Sequence, residues 1–398
     1  MTSYQHSSQR LRWTLTAEEL ASRRAGANSA TVDAIMNCSQ ASKNVHRLSP
    51  LNVEEEGVLR RVWEGKVQHV CNAFHFPNKI QATAVTYLKR FYIENSVMDD
   101  VPKQIMLSCI YLACKIEENY LSAEEFARGL NQKDVDYNSV LKNELRVLEA
   151  LNFDLIVHSP YRPLEGFSME LEDFTRQLAK DGHGECRCED EEIGPLIQQC
   201  SLHARKVLDA LMLSDAILLY PPGQIALAAL RIGARACASG KLPIDEFLEF
   251  VATQGAQRKA DMTEASEKLL AATLRKIDEI YGRGNTLADD SVVKAIEKRR
   301  QSNRNPVFNP ESDAYKANVA KKEAEKEEKR RRKQSMKRAA SQQQAEVLAG
   351  VFKRPPRGVA EEPSSSKKRK SEDQMGVDAA PPQQEINMME TDQAKPQS

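Results

Sequence analysis

Two stretches of the chain are apolar almost all the way round a helix, and they share one pattern. Residues 102–115 read PKQIMLSCIYLACK, and residues 222–235 read PGQIALAALRIGAR. Each begins with a proline, which suits the first position of a helix because the N–H that it lacks would have no partner there. A helix without a polar stripe is a buried central helix. Two copies, 120 residues apart, predict two all-helical units in tandem.

The remaining apolar periodicity predicts five helices in each unit. Short breaks rich in Pro, Asn and Asp separate them, so neighbouring helices must pack against each other. In the first unit the predicted helices cover about 54–75, 78–95, 101–118, 122–130 and 137–152. In the second they cover about 160–179, 192–214, 221–239, 243–253 and 261–281. The fold class predicted is therefore all-α, with two tandem five-helix units.

The segments that flank these units have a different character. Thr16 opens a capping-box pattern, TAEE, which predicts a short helix to about Asn28 and then a polar linker. Residues 317–347 have helix-forming composition and interleaved charge without an apolar stripe, which is typical of a solvated helix or of a disordered segment. The last residues are rich in Pro, Ser and Gln and are predicted to be disordered. The predicted regions are thus 1–50 (N-terminal helix and linker), 51–156, 157–283, 284–350 (helical extension) and 351–398.

The distribution of charge does not indicate a strongly basic folded part. The chain has 57 Lys and Arg and 57 Asp and Glu. From Gly284 onward there are 24 basic and 18 acidic residues, which leaves 33 basic and 39 acidic residues before it. The predicted folded part therefore carries a charge of −6 and the tail a charge of +6. Neither value is typical of a protein whose main partner is a nucleic acid.

The positions of the cysteines and the length of the apolar runs indicate the cellular compartment of the protein. Several of the eight cysteines lie in apolar helical stretches, which is typical of reduced core residues in a reducing compartment. The first residues, MTSYQHSSQRLRW, lack the apolar centre of a leader, and no run of about 18 apolar residues occurs. We therefore expect an intracellular, soluble protein without a membrane partner.

The sequence does not contain a recognisable catalytic or cofactor motif. Walker, Rossmann, HExxH and kinase signatures are all missing. One cluster contains zinc-type ligands: His183, Cys186, Cys188, Cys200 and His203. Its H-x-x-C-x-C spacing is not a known ligand pattern, and its acidic neighbours are equally typical of a hydrated loop, whereas a structural zinc site fixes four ligands in a closed geometry. We expect no catalytic residue, no cofactor and no metal.

Three phrases of the first unit resemble the cyclin family. They are YLKRFY at residues 87–92, LACKIEE at 112–118 and LRVLEALNFDL at 145–155. The resemblance covers roughly residues 50–283. It implies that both five-helix units are cyclin boxes. It also implies that the chain is not an enzyme but a regulatory subunit that binds and activates a cyclin-dependent kinase.

The same resemblance implies two kinase-binding residues. In cyclins a Lys at the end of the third helix contacts the kinase together with a Glu of the fifth helix, nine residues before the Phe of the closing stretch. Lys115 matches the first position, and Glu144 matches the second because Phe153 follows nine residues later. Without the family, both would be read as solvated surface charges that contribute at most about 1 kcal/mol each. Their position beside apolar runs favours a place at the rim of a rigid core.

Further phrases are similar to the cyclin H subfamily. They are RLRWTLTAEELASRRAGAN near the N-terminus, LIVHSPYRPLEGF at 155–167 and LSDAILLYPPGQIALAAL at 213–230. This resemblance implies that the partner is the catalytic subunit of the CDK-activating kinase, which acts at RNA polymerase II promoters. Further implied partners are an assembly-factor subunit and the general transcription factor complex, with no direct contact to nucleic acid. The implied location is the nucleus.

Two alternatives stay open beside that interpretation. The PYRPL and LLYPP phrases are also similar to the cyclin C subfamily, whose members partner the Mediator kinase. Transcription factor IIB, which binds nucleic acid, has the same double five-helix fold. That protein class needs an upstream zinc ribbon and a basic stripe on the repeats, whereas residues 1–50 hold one cysteine, Cys38.

A short basic run lies near the C-terminus. It consists of Lys367, Lys368, Arg369 and Lys370, within a stretch rich in Ser and Pro. Such a run is typical of a nuclear import signal. It is equally typical of a solvated tract without a role, and the sequence does not decide between the two.

Overall fold

The computed structural model of the chain describes residues 4–41, 48–130, 137–181, 190–237, 241–257, 263–284, 289–309 and 311–352. Across these ranges the regular secondary structure is helical and contains no strand, which confirms the predicted all-α class. No helix within them combines the length and the apolar character that a membrane crossing requires.

Two groups of helices follow each other along the chain. The first contains α3 (Val53–Ala73), α4 (Asn78–Glu94), α5 (Pro102–Ile116), α6 (Ala123–Gly129), α7 (Tyr137–Lys142) and α8 (Glu144–Ala150), after the N-terminal helices α1 (Ser8–Arg12) and α2 (Ala17–Ala41). The second contains α9 (Tyr161–Asp181), α10 (Asp190–Met212), α11 (Ala216–Leu219), α12 (Pro222–Cys237), α13 (Ile244–Gln257) and α14 (Thr263–Gly282). Two C-terminal helices follow, α15 (Asp290–Ser302) and α16 (Asp313–Phe352). The described residues form two compact units that divide inside α16, between Glu327 and Glu328.

The two helices that repeat in the sequence are the central helices of their groups, as predicted. In α5 every residue from Ile105 to Cys114 is buried. In α12 the buried run extends from Ile225 to Arg231, and Gly233 follows it against α10. A Cβ atom on Gly233 would lie 2.8 Å from the backbone nitrogen of Ala204. The close approach of α10 and α12 therefore depends on a residue without a side chain.

The N-terminal helix is longer than predicted, and the polar linker expected after Asn28 is wrong. Residues up to Ala41 are helical, because contacts with the first group stabilise a stretch whose own composition is polar. The Asn28 side chain donates a hydrogen bond to the carbonyl oxygen of Leu51 at 2.9 Å. The Thr31 hydroxyl donates to the Asp99 carboxylate at 3.2 Å, and Ile35 is buried. Tertiary packing thus overrides local propensity here.

Two other helix predictions need correction, and the C-terminal extension contains a packed helix. The helix predicted over 137–152 is interrupted at Asn143, where the backbone leaves the helical region, so that α7 and α8 are separate. A single turn, α11, precedes α12. The predicted helical extension over residues 284–350 contains α15, which packs on the first group: its Arg300 is buried and donates to the carbonyl oxygen of Asp100 at 3.2 Å. These elements depend on contacts with distant residues, which periodicity alone does not reveal.

Polar contacts connect the two groups. Lys89, which is buried, forms an ion pair with Glu64 at 2.5 Å and also donates to the carbonyl oxygen of Leu213 in the second group at 3.2 Å. The Arg24 guanidinium of α2 makes two hydrogen bonds, of 2.7 and 2.8 Å, to the carboxylate of Asp215. A bidentate pair of this kind fixes orientation as well as distance. Helix α2 therefore fixes the second group relative to the first.

Candidate functional site

Lys115 lies at the C-terminal end of α5, where the chain turns sharply. The N–H of Asn119 donates to the carbonyl oxygen of Cys114, and the N–H of Glu118 donates to that of Lys115. This is the Schellman arrangement, whose left-handed residue is usually glycine. Here it is Glu118, with φ of 58°. A residue with a side chain in this conformation is strained by about 1 kcal/mol or more, so the surrounding structure must hold the turn.

The end of α8 repeats this geometry. The N–H of Phe153 donates to the carbonyl oxygen of Leu148, and that of Asn152 donates to the carbonyl oxygen of Glu149. Asn152 and Phe153 both have positive φ, 51° and 58°. An aromatic residue with positive φ is uncommon, and strained residues of this kind cluster at functional sites. Phe153 is also 60% exposed.

Lys115 and Glu144 contact each other. Glu144 is the first residue of α8, where its negative charge also complements the helix dipole. Its Oε1 atom lies 2.6 Å from the ammonium nitrogen of Lys115. The ammonium group lies 4.6 Å from the centre of the Tyr111 ring, in a cation–π contact. The structure therefore brings both predicted residues to one place, and leaves the Lys115 side chain 41% exposed and that of Glu144 21% exposed.

Large apolar side chains are exposed on the elements that carry this ion pair. Tyr120 is 95% exposed and Leu145 is 61% exposed. The others in this region are Ile116, Leu141, Phe153 and Ile156. They lie at the end of α5, on α7 and α8, which both pack against α5, and on the segments that follow α5 and α8. We call these six residues the α5–α8 surface. Exposed apolar groups with a polar rim mark interaction sites.

Sequence reasoning did not identify the α5–α8 surface, although one signal was present. Leu145 and Phe153 lie within the phrase LRVLEALNF, where apolar residues outnumber the positions that the core can bury. In the structure Val147 and Leu151 of that phrase are fully buried, whereas Leu145 faces solvent. An apolar residue off the buried stripe of an amphipathic helix is the pattern that could have predicted this surface.

A largely buried ion pair connects Arg146 of α8 to Asp100. Arg146 is 2.7 Å from the carboxylate of Asp100, and its guanidinium carbon lies 4.1 Å from the centre of the Phe308 ring, beyond α15. Burial raises the pKa of Asp100 to about 6, although the Arg146 charge opposes this shift. Asn305 anchors the same segment, because its side chain donates to Asp99 at 2.7 Å. The C-terminal segment thus supports the helix that begins at Glu144.

Other residues singled out in the sequence have different outcomes. Lys367, Lys368, Arg369 and Lys370 lie outside the described residues, as do His183, Cys186 and Cys188. Of the remaining zinc-type side chains, Cys200 is buried in α10 and His203 is exposed. The described part of the chain contains no group of three side chains that could hold a metal ion. Burial raises the pKa of the Cys71 thiol to about 12, as expected for a core cysteine.

Comparison with known proteins gives the class. The family model for the cyclin N-terminal domain matches residues 42–156, and the one for the cyclin C-terminal domain matches residues 159–282. Cyclin-H1-1 of Arabidopsis thaliana is 42% identical over 274 residues, which cover 64% of this chain and 76% of that protein. The chain belongs to the cyclin family. Its two helix groups are therefore called the first and second cyclin box from here on.

Two solved structures are similar to this fold. The first is the yeast TFIIK (Kin28/Ccl1/Tfb3) complex, in which a chain is 28% identical, with a TM-score of 0.51 and coverage of 70% of this chain and 99% of that one. The second is the CAK complex of Chaetomium thermophilum bound to ATP-gamma-S, with 24% identity, a TM-score of 0.62 and coverage of 81% and 94%. At 24% identity, the similarity to the Chaetomium thermophilum complex shows the fold alone.

Proposed function

We propose that this chain is the regulatory cyclin of a CDK-activating kinase and that it binds and activates the kinase through the α5–α8 surface. The observation that carries the proposal is the partly exposed ion pair of Lys115 and Glu144 beside that surface. The similarity to Cyclin-H1-1 and to a chain of the yeast TFIIK complex supports the type of cyclin.

The surface has the two components that a specific interface needs. Tyr120, Leu145 and Phe153 supply exposed apolar and aromatic groups, the kind of side chain that carries most binding energy once it is desolvated. Lys115 and Glu144 supply a donor and an acceptor that can form charge-assisted hydrogen bonds to backbone groups of the kinase. Such bonds fix the register of the two chains more than they add affinity.

The chain would act on the kinase by shifting a population. A kinase needs a Lys–Glu ion pair between a strand and its regulatory helix, and that pair is complete only in the active state. A cyclin that binds this state alone shifts the equilibrium by its difference in affinity for the two states. A shift from about 1% to about 99% active requires about 5.5 kcal/mol. In this mechanism the cyclin supplies no catalytic atom and is not itself the enzyme.

The proposal includes further partners and a location. The yeast complex contains three named proteins, which supports an assembly-factor subunit as a third component here. We propose that the assembly belongs to a general transcription factor complex at RNA polymerase II promoters and is located in the nucleus. Direct nucleic-acid contact is not part of the proposal, because the residues before Gly284 are acidic overall.

Purification of the tagged full-length chain from its own cells tests the proposal. We expect a cyclin-dependent kinase in a one-to-one complex, identified by mass spectrometry, and we expect that recombinant kinase to gain activity when the purified chain is added. Capture of a Mediator kinase would instead favour the cyclin C interpretation. A chain that neither retains a kinase nor activates one would contradict the proposal.

A further inference from the structure

A cavity of about 640 Å³ lies between the two cyclin boxes, away from the α5–α8 surface. Its walls come from α2, α3, the segment around α11, and α14. The volume is typical of a site for a small molecule or a peptide side chain with its neighbours. Neither α5 nor α8 contributes to its lining, so binding of a kinase at Lys115 leaves its use unexplained.

The lining of this cavity is rich in cations. Its basic residues are Arg24, Arg60, Arg61, Lys276 and Arg283, and its acidic residues are Glu64, Asp215 and Glu279. All three carboxylates already have basic partners, since Glu279 lies 3.9 Å from Arg283. Asp215 accepts both hydrogen bonds of the Arg24 guanidinium, and Glu64 pairs with Lys89 at 2.5 Å. The remaining positive charge therefore exceeds what the cavity's own acidic groups can balance.

Arg60 and Arg24 are the two largely buried cations of the lining, and each already pairs with a carboxylate, Glu56 and Asp215 respectively. The Arg60 side chain is 7% exposed, and its ion pair with Glu56 is long, at 3.5 Å. Burial lowers the pKa of Arg60, and the charge of nearby Arg24 lowers it further. The Nε atom of Arg24 is buried and has no hydrogen-bond partner among the described residues. Buried donors without acceptors destabilise a fold unless a bound group satisfies them.

Two more cations extend from opposite walls. Arg61 belongs to α3 in the first box, and Lys276 belongs to α14 in the second box. Both side chains are exposed, and neither forms an ion pair with any of the described residues. Leu219 and Ile280 supply apolar surface beside them. Guanidinium groups bind phosphate through paired hydrogen bonds, and a lysine ammonium adds a positive charge. Such groups around one cavity, beside apolar surface, are typical of a site for a phosphate group attached to a larger molecule.

We propose that this cavity between the cyclin boxes binds the phosphate group of a phosphorylated ligand. Arg61 and Lys276 contact the phosphate from the two boxes, Arg60 lies behind it, and Leu219 and Ile280 contact the rest of the ligand. The site is separate from the proposed kinase contact. The same phosphate chemistry can come from a phosphorylated peptide or from a small phosphorylated molecule, and the experiment separates these sources.

Fluorescence anisotropy with the full-length chain at physiological ionic strength tests the site. The probes are a labelled peptide library with a fixed central phosphoserine and the same library with serine. We expect the phosphoserine library to bind at least about tenfold more tightly, the equivalent of one charge-assisted hydrogen bond. The double variant Arg61→Ala, Lys276→Ala should lose that preference. Its melting temperature should be unchanged, because both side chains are exposed.

The matched control is the double variant Lys180→Ala, Lys206→Ala, which removes two exposed lysines of the second box outside the cavity. It should bind like the wild type. Competition with inorganic pyrophosphate identifies the source: displacement only at much higher concentration indicates a phosphopeptide, and displacement at equal concentration indicates a small phosphorylated molecule. Equal binding of both libraries, unchanged binding by the Arg61 and Lys276 variant, or an equal loss in the control would overturn the proposal.

Discussion

Lys115 and Glu144, 29 positions apart in the sequence, form one ion pair with 2.6 Å between the ammonium nitrogen and Oε1. The pair joins the last turn of α5 to the first residue of α8. Because both side chains are partly exposed, the pair itself contributes about 1 kcal/mol or less to folding. Its main physical effect is to hold a donor and an acceptor in fixed positions beside the α5–α8 surface.

The first prediction concerns the apolar part of that surface. Leu145→Asp should weaken the complex with the kinase by about 2 kcal/mol or more, since it places a charge in a desolvated contact. The melting temperature should change little, because Leu145 is exposed. Affinity is measured by titration with the purified kinase. Leu202→Asp, at a leucine of the second box that is 56% exposed, is the control and should bind normally. Equal affinities of the two variants would contradict this use of the surface.

The second prediction concerns the close approach of α10 and α12. Gly233→Ala should destabilise the fold by about 1–3 kcal/mol, because its Cβ atom would lie 2.8 Å from backbone atoms of Ala204 and Cys200. Gly223→Ala, in the same helix, has open space around the new methyl group and should be neutral or slightly stabilising. Thermal unfolding of the two variants checks the difference. An unchanged melting temperature for the Gly233 variant would show that the two helices are not held this closely.

The third prediction is a pH dependence caused by Asp100. Its folded-state pKa is about 6, above the value of about 3.9 expected in an unfolded chain. Between these values the folded state binds more protons, so the free energy of unfolding falls as the pH rises through this window. Asp100→Asn removes the titration. Relative to the wild type, the variant should gain up to about 3 kcal/mol between pH 4 and pH 7.

Urea unfolding of both chains at several pH values measures this difference. A gap between the two unfolding free energies that does not change with pH would mean that Asp100 does not titrate in this range. The expected sign follows from burial of the carboxyl group, the largest contribution to the shift, which outweighs the attraction of Arg146.

The fourth prediction concerns the basic run near the C-terminus. Replacement of Lys367, Lys368, Arg369 and Lys370 by Ala should reduce nuclear accumulation in cells depleted of the kinase partner, if the run is the import signal. Replacement of the three serines just before the run, residues 364–366, is the control and should leave the location unchanged. Kinase binding should be normal in both variants. Unchanged nuclear accumulation of the first variant would eliminate the run as the signal.

The fold was predictable where apolar periodicity is strong. The central helices α5 and α12 and the five-helix pattern of each box follow from local sequence, because a helix without a polar stripe has to be buried. The extension of α2 to Ala41 and the packing of α15 were not predictable in this way. They depend on tertiary contacts, among them Asn28 with Leu51 and Arg300 with Asp100, between residues far apart in the chain.

The candidate site was also predictable from the sequence only in part. Lys115 and Glu144 were identified by resemblance to a family, and the sequence did not show that they contact each other. That contact depends on the interruption at Asn143, which makes Glu144 the first residue of a new helix. The positive φ angles of Glu118 and Phe153 were also hidden, since neither residue is a glycine or an asparagine. Periodicity reports burial, whereas strain and ion pairs depend on tertiary structure.

The central claim is that Lys115 and Glu144 contact the kinase and do more than stabilise their own chain. The most direct test is the double charge exchange Lys115→Glu, Glu144→Lys, compared with each single change and with the exchange Arg205→Glu, Glu165→Arg at a second exposed ion pair, which is 3.0 Å long. The internal attraction is restored in both double variants. The account predicts that the Lys115 and Glu144 exchange lowers the melting temperature only slightly, through the reversed charge at the start of α8 and the lost contact with Tyr111. The same variant should activate the kinase at least about tenfold less, because both charges facing the kinase are reversed. Full kinase activation by this double variant would contradict it.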